Sequence, residues 1–170
     1  MNFPRTLRTA RLLLRAPTLD DIEHLVRIYG DERVTACGGE PPYPPDVCQG
    51  ILTFWLDMWV REGMGYFCVA RIGSPHDVIG FAGVAVTDHP GEFNLFLWFG
   101  SQAWGYGFAR EAGRACVDLA FDGCGADAIV ASTSVINFRS IRALHAIGLR
   151  EVWSERLGRA SFLLTRAGSG

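Results

Sequence analysis

The chain has 170 residues, 49% of them hydrophobic and 20% charged, with a mean hydropathy of +0.15, which excludes disordered and collagen-like architectures. Sixteen basic against eighteen acidic side chains leave a formal charge of −2 and no bulk electrostatic pull toward nucleic acid or an anionic membrane. At this length about 70% of the unfolded surface is buried on folding, so residues 1–170 are expected to form a single domain without a disulfide or metal staple.

Cys37, Cys48, Cys68, Cys116 and Cys124 form an odd set without C-x-x-C spacing, and the histidines show no paired metal spacing. Free thiols in a reducing cytoplasm and no metal are the expectation. No apolar run reaches the ~20 residues of a membrane span, and the arginine-bearing N-terminal stretch lacks an apolar signal core.

Leu12 to Leu14 form an apolar run between Arg11 and Arg15, closed by Pro17, and predict a strand. Thr18 starts a helix: its hydroxyl can cap the first turn, Asp20, Asp21 and Glu23 suit the positive end of the dipole, and Ile22, Leu25, Val26 and Tyr29 give an apolar face that ends at Gly30. The glycines and prolines between Cys37 and Pro45 predict an exposed loop. Helical spacing resumes from Asp46 to Arg61 through Val47, Ile51, Phe54, Trp55 and Met58.

Tyr66 to Arg71, Val78 to Val86 and Phe93 to Phe99 are rich in β-branched and aromatic residues. Gly73-Ser74-Pro75 and His89-Pro90-Gly91 separate them, so they predict an antiparallel meander. Phe108 to Phe121 reads as a helix with Phe108, Ala112, Cys116 and Ala120 on one row, ended by Gly123 and Gly125. A strand at Ala128 to Thr133 and a helix at Phe138 to Ile147, stopped by Gly148, come next. Strands near Glu151 to Glu155 and Ser161 to Thr165, joined through Leu157-Gly158-Arg159, complete a mixed α/β arrangement with a mostly antiparallel sheet.

The strand at Phe93 to Phe99 runs through Gln102-Ala103-Trp104-Gly105-Tyr106-Gly107 directly into a helix. Gly105 and Gly107 let backbone N–H groups converge, and the helix N-terminus adds positive potential, which suits a phosphate-bearing ligand; a tight turn alone would use the same glycines. A P-loop is excluded because no Gly-Lys-Ser/Thr run follows. A dinucleotide fold is disfavoured by Arg110 where a third small residue belongs, and by Thr133-Ser134 where an acid belongs; Asp127 stands at the wrong end of that strand. Coenzyme A fits better, its pantetheine arm adding beside Leu97 to Phe99 as a strand would.

Gln102-x-x-Gly105-x-Gly107 resembles the Q/R-x-x-G-x-G/A pyrophosphate loop of the GNAT superfamily of acyl-CoA-dependent N-acetyltransferases. The longer run from Trp104 to Ala112, WGYGFAREA, resembles the W-G-x-G-x-A-x-E-A form typical of its RimJ/RimL-like group, whose named members acetylate N-termini of ribosomal proteins. Arg11-Leu12-Leu13-Leu14-Arg15 before Asp20-Asp21, Ile79-Gly80 in mid-sheet, and Asn137-x-x-Ser140 match further marks of the group, so the likeness spans nearly the whole chain. The resemblance implies a GNAT-like α+β fold: a mixed, mostly antiparallel sheet of about six or seven strands, splayed at Phe93 to Phe99, with helices on both faces. It also implies direct transfer of acetyl from acetyl-CoA to a primary amine, either a protein N-terminus or a small molecule. The segment after Gly148 is shorter than in the ribosomal enzymes and lacks their hairpin, which keeps the two acceptor classes level.

Carried over by position, the resemblance implies that Leu97, Trp98 and Phe99 pair with the pantetheine arm. Amides of Gln102, Trp104, Gly105, Tyr106, Gly107, Phe108 and Ala109 hold the pyrophosphate, Asn137 touches the arm while capping the next helix, and Arg139 and Arg142 neutralise phosphates. The family's tyrosine that often protonates the leaving thiolate falls here at Leu144, and the resemblance implies Ser140, at the position of the group's serine, as the candidate acid. Glu92, on one face with Asn94 at the start of the central strand, is the candidate base, relaying through water. Trp98 is the first candidate for an acceptor wall, with Trp55, Trp59 and Trp104 beside it, and His145 is expected to face solvent. A homodimer is a further expectation. Two alternatives stay open: a non-catalytic acyl-CoA-binding regulatory module, and a domain whose glycine turn binds nothing.

Overall fold

The computed structural model describes residues 3–153 and 157–166. Among these residues eight strands make one sheet: β1 (Thr6–Arg8), β2 (Leu12–Arg15), β3 (Tyr66–Arg71), β4 (Ser74–Val86), β5 (Glu92–Phe99), β6 (Ala128–Ser134), β7 (Arg150–Val152) and β8 (Arg159–Thr165). Their spatial order is β1-β2-β3-β4-β5-β6-β8-β7. Among the described residues five α-helices accompany them: α1 (Ile22–Tyr29), α2 (Glu32–Thr35), α3 (Pro45–Arg61), α4 (Phe108–Asp118) and α5 (Phe138–Ile147).

Side chains alternate across a strand, and β5 uses both faces for burial. Phe93, Leu95, Leu97 and Phe99 join the core built with Phe108 and Ala112 of α4 and Leu144 of α5. Phe96 and Trp98 join the opposite core with Leu25 and Tyr29 of α1 and Leu52 and Trp55 of α3. The central strand thus separates two helical layers, each anchored by its own set of apolar residues.

β5 and β6 are parallel neighbours, but they pair only over Glu92–Asn94 against Ala128–Val130. Beyond that point β5 stays with β4 as far as Phe99 against Gly80, and β6 stays with β8 as far as Ser134 against Arg159. The β5 edge from Leu95 to Phe99 therefore faces an opening instead of a strand.

The sheet has one strand more than the sequence suggests, because β1 is three residues long and too short for a readable alternation. The turn expected at Gly73-Ser74-Pro75 is tighter. β4 begins at Ser74, and the register jumps from Arg71↔Ser74 to Ala70↔Val78, so Pro75 to Asp77 bulge from the ladder. The helix expected from Phe108 to Phe121 is α-helical only to Asp118 and ends in a π turn, Leu119–Gly123. The short α2 was not foreseen, and Glu155, at the end of a predicted strand, lies outside the described residues.

Two arginines flanking β2 lock distant parts of the chain. Arg15 donates to both carboxylate oxygens of buried Asp21, at 2.8 and 2.7 Å. The same carboxylate accepts from the Thr18 N–H at 2.7 Å and from its hydroxyl at 3.2 Å. The entry to α1 is therefore capped by Asp21 reaching back, through a 3-10 turn at Leu19–Asp21, instead of by the Thr18 hydroxyl alone. Burial pushes the Asp21 carboxyl up, but the hydrogen bonds from Arg15 and Thr18 outweigh it and hold it below its ordinary value.

At the other end of β2, Arg11 reaches α4. Its Nε donates to Glu111 Oε2 at 2.6 Å, its backbone N–H and the Thr9 hydroxyl donate to Oε1 at 2.9 and 2.5 Å, and its Nη1 donates to the Tyr106 carbonyl at 3.0 Å. The guanidinium also lies 4.8 Å from the Phe108 ring centroid. Partial burial pushes Glu111 up, yet Thr9 and Arg11 hold it below the usual range. This clasp fixes the loop between β5 and α4.

Asp21→Ala is expected to lower stability by about 2–4 kcal/mol in urea unfolding, because it strands a half-buried guanidinium. The Asp21 contribution is complete above the unfolded carboxylate value of about 4 and is lost as pH falls through the lower folded value, so the gap between parent and variant should close on acidification. Arg11→Ala and Glu111→Gln are each expected to cost about 1 kcal/mol in urea unfolding, and the double variant less than the sum of the two, since they share the Arg11–Glu111 ion pair.

Candidate functional site

A cleft of about 360 Å³ opens where β5 and β6 part. Leu95 to Phe99 of β5 form one wall and Ala131 to Ser134 of β6 the other. Asn137, Ser140 and Leu144 of the α5 segment close one side, and Cys37, Glu40 and Tyr43 from the segment before α3 close the other. Because β5 alternates between the two cores, Leu95, Leu97 and Phe99 face the α4–α5 side and Asn94, Phe96 and Trp98 the α1–α3 side. The cleft is thus a passage through the sheet with a mouth on each face.

The loop from Gly100 to Gly107 borders the first mouth. Gly105 and Gly107 sit at φ +83° and +76°, the left-handed region that side chains disfavour. Among the described residues, the N–H groups of Gly105 to Arg110 have no main-chain acceptor; the first helical bond runs from the Glu111 N–H to the Gly107 carbonyl. Unpaired amides at the start of the 11-residue α4 make a seat for an anion. Trp104 and Ala109 line the cleft beside it. Trp104 Nε1 donates to the Phe99 carbonyl at 3.3 Å, and the Arg139 guanidinium covers its ring at 4.2 Å. Phe108 is buried beneath the loop, and exposed Tyr106 stacks on it at 5.4 Å.

Asn137 caps α5, its side-chain oxygen accepting from the Ser140 N–H at 3.1 Å. Asn137, Arg139 and Ser140 all line the cleft, as do Leu97, Trp98 and Phe99. Gln102 is exposed, its side chain lying over Gly100. Arg142 is exposed on α5 outside the cleft lining.

Glu92 is a correction. It lies on the paired stretch of β5, before the strands part, in a separate depression with Thr87, His89 and Cys124. There Glu92 Oε1 accepts from the Thr87 hydroxyl at 2.9 Å. Asn94, two residues on, is the polar residue that reaches the cleft. Trp55 and Trp59 are corrections of the same kind: both are buried in the cores and neither lines the cleft. His145 is exposed, edge-on to Phe162 at 5.3 Å.

Sequence reasoning missed the wall on the α1–α3 side. Glu40 and Tyr43 come from the proline-rich segment, and Arg159, whose Nη2 donates to Ser132 Oγ at 2.8 Å, comes from β8. Nothing in the sequence marks these distant residues as neighbours. A second tie holds the segment before α2 to the loop that follows β5. The Ser101 hydroxyl donates to Asp31 at 2.6 Å, and hydrogen bonds from Arg33, against slight burial and with help from Ser101, hold the Asp31 carboxyl down at about 2.

Among the described residues no group of His, Cys, Asp or Glu converges to hold a metal ion, and no helix is long and apolar enough to cross a membrane. The family model of the acetyltransferase (GNAT) domain matches residues 11–150. The uncharacterized N-acetyltransferase p20 of Bacillus licheniformis is 28% identical over 149 residues, 86% of this chain and 83% of its own length. Among solved structures, the ribosomal-protein-S5-alanine acetyltransferase of Vibrio fischeri shares the fold with a TM-score of 0.76 at 17% identity, over 96% of this chain and 97% of that one. The spermidine N-acetyltransferase of Vibrio cholerae, in complex with CoA and spermine, does so with a TM-score of 0.74 at 15% identity, over 92% and 96%. The family match runs from the arginine that clasps Glu111 to the first residue of β7 and takes in every element around the cleft except β8; the chain belongs to the GNAT family of acetyltransferases.

Proposed function

We propose that the chain is a single-domain N-acetyltransferase of the RimJ/RimL-like group, working in the cytoplasm, that moves acetyl from acetyl-CoA to a primary amine by direct attack. The observation that carries this reading is the bare β5 edge from Leu95 to Phe99 lying next to a loop whose amides have no main-chain acceptor. An extended arm satisfies the first and a pyrophosphate the second. The longer glycine-loop motif, and the fold shared with an acetyltransferase named for a ribosomal protein, support the placement in the group.

In this reading the main chain of Leu97 to Phe99, with Trp98 between them, holds the arm, and amides from Gln102 to Ala109 hold the pyrophosphate. Arg139, fixed over Trp104, adds positive charge at the mouth, and Arg142 contributes at longer range. Asn137 keeps its side-chain N–H₂ free for the arm while its oxygen caps α5. Acetyl-CoA supplies an activated thioester.

Transfer forms a C–N bond and breaks the C–S bond; the amine gives up one proton and the sulfur gains one. Ser140 holds the proton for the sulfur on its Oγ. Asn94, the polar side chain of β5 that lines the cleft, is an amide and cannot take the amine's proton, so that proton leaves through water in the cleft.

Saturating acetyl-CoA is expected to raise the stability of the parent by about 2.7 kcal/mol at ~100 times Kd, read as a thermal shift. Gly107→Trp, whose ligand-free melting is checked first, is expected to abolish the shift. No shift in the parent overturns the reading, and a shift without amine-dependent CoA release favours a non-catalytic binding module. Ser140→Ala is expected to lower kcat by at least about tenfold with acetyl-CoA affinity unchanged, whereas Glu92→Gln is expected to keep kcat/KM within about twofold.

A further inference from the structure

The coenzyme reading assigns the α4–α5 mouth of the cleft and leaves the α1–α3 mouth to the acceptor. Aromatic side chains line that second mouth. Trp98 stacks on Tyr29, with ring centroids 4.5 Å apart and 12° between planes, and Phe96 stacks on Tyr66 at 4.5 Å and 26°. The Trp98 and Phe96 rings are within 11° of parallel. Each has a tyrosine behind it, and their remaining half-buried surface forms the floor. Tyr43 leans over Trp98 with centroids 6.2 Å apart at 45°.

Two charged side chains, Glu40 and Arg159, line the cleft together with these rings. Glu40 lies on one side, near enough to Tyr43 that its carboxylate adds to burial in pushing the phenol up. Tyr43 therefore stays a neutral donor at neutral pH. Arg159 lies on the other side, steadied by Ser132. One anion and one cation across an aromatic floor can take one ammonium group; a second ammonium meets the guanidinium.

We propose that the acceptor is a primary monoamine with an aromatic or flat apolar body, its ring set against Trp98 and Phe96 and its ammonium drawn to Glu40 before it loses a proton. Arg159 makes polyamines poor acceptors by repelling the second cation. The proposal rests on the transferase reading above and names the substrate class of that same site.

The test is the rate of CoA release from acetyl-CoA with phenylethylamine, tyramine, putrescine, spermidine and an alanine-initiated peptide. The aromatic monoamines are expected to exceed the others in kcat/KM by at least about tenfold. Glu40→Gln is expected to raise KM for phenylethylamine about three- to tenfold with kcat within about twofold, and Arg159→Gln to raise kcat/KM for putrescine at least about threefold. Equal or better turnover of a polyamine or the peptide, or an unchanged KM in Glu40→Gln, overturns the proposal and leaves the transferase reading intact. So does a protein that shows the acetyl-CoA thermal shift but turns over no aromatic monoamine. A protein with neither shift nor CoA release overturns both.

Discussion

The structure depends on a parallel strand pair that is allowed to fail. A main-chain N–H or C=O taken from water needs a partner, and the interior of a sheet normally supplies it. Here β5 and β6 supply it to one another only from Glu92 to Asn94, and then each keeps only its outer neighbour. Helix packing props the gap open. Gly113 lets α4 come so close to its neighbours that an added Cβ would fall against Ile147 of α5 and 3.3 Å from Leu97 of β5. Filling that gap with a third strand would complete the sheet and abolish the cleft.

Around this gap the chain assigns one task to each face. Odd-numbered positions of β5 belong to the α4–α5 layer, where the loop amides and the start of α5 gather, and even-numbered positions belong to the α1–α3 layer, where the aromatic floor lies. The arginines flanking β2 hold the two layers to the sheet independently. Arg11 fastens the loop before α4 through Glu111 and the Tyr106 carbonyl, and Arg15 fastens the entry to α1 through Asp21. The Asp31–Ser101 bond then joins the layers directly.

Much of this was legible in the sequence, and what was not has a physical reason. Period and punctuation placed most of the strands and long helices, because the apolar face of α5 and the aromatic-rich run of β5 are strong local signals, but the face expected for α3 was only partly right: Cys48, Leu52, Trp55, Met58 and Trp59 are buried while Val47 and Phe54 are exposed. The glycine loop was legible because positive φ leaves a residue-level trace at Gly105 and Gly107. Glu92 was misplaced although its face was right: alternation puts it beside Asn94, but where β5 stops pairing with β6 depends on residues more than thirty positions away. Trp55 and Trp59 show the same limit, since an apolar helix face does not say which core it enters. Arg11 and Glu111 were both visible in motifs, yet nothing local pairs residues 100 positions apart.

Leu144 makes the placement of the acid intelligible. It is buried in the α4–α5 core, so a phenol at that position would exchange packing for a polar group that needs a partner. Ser140 stands four residues earlier on the same face of α5, one turn nearer the capped N-terminus. In the transferase reading proposed above, a donor there would work where the helix dipole favours negative charge, so the dipole and the Ser140 hydroxyl would both act on a sulfur that is becoming a thiolate. On that reading the chain keeps Leu144 for its core, and the proposed proton source lies toward the end of the helix whose field would assist the leaving group.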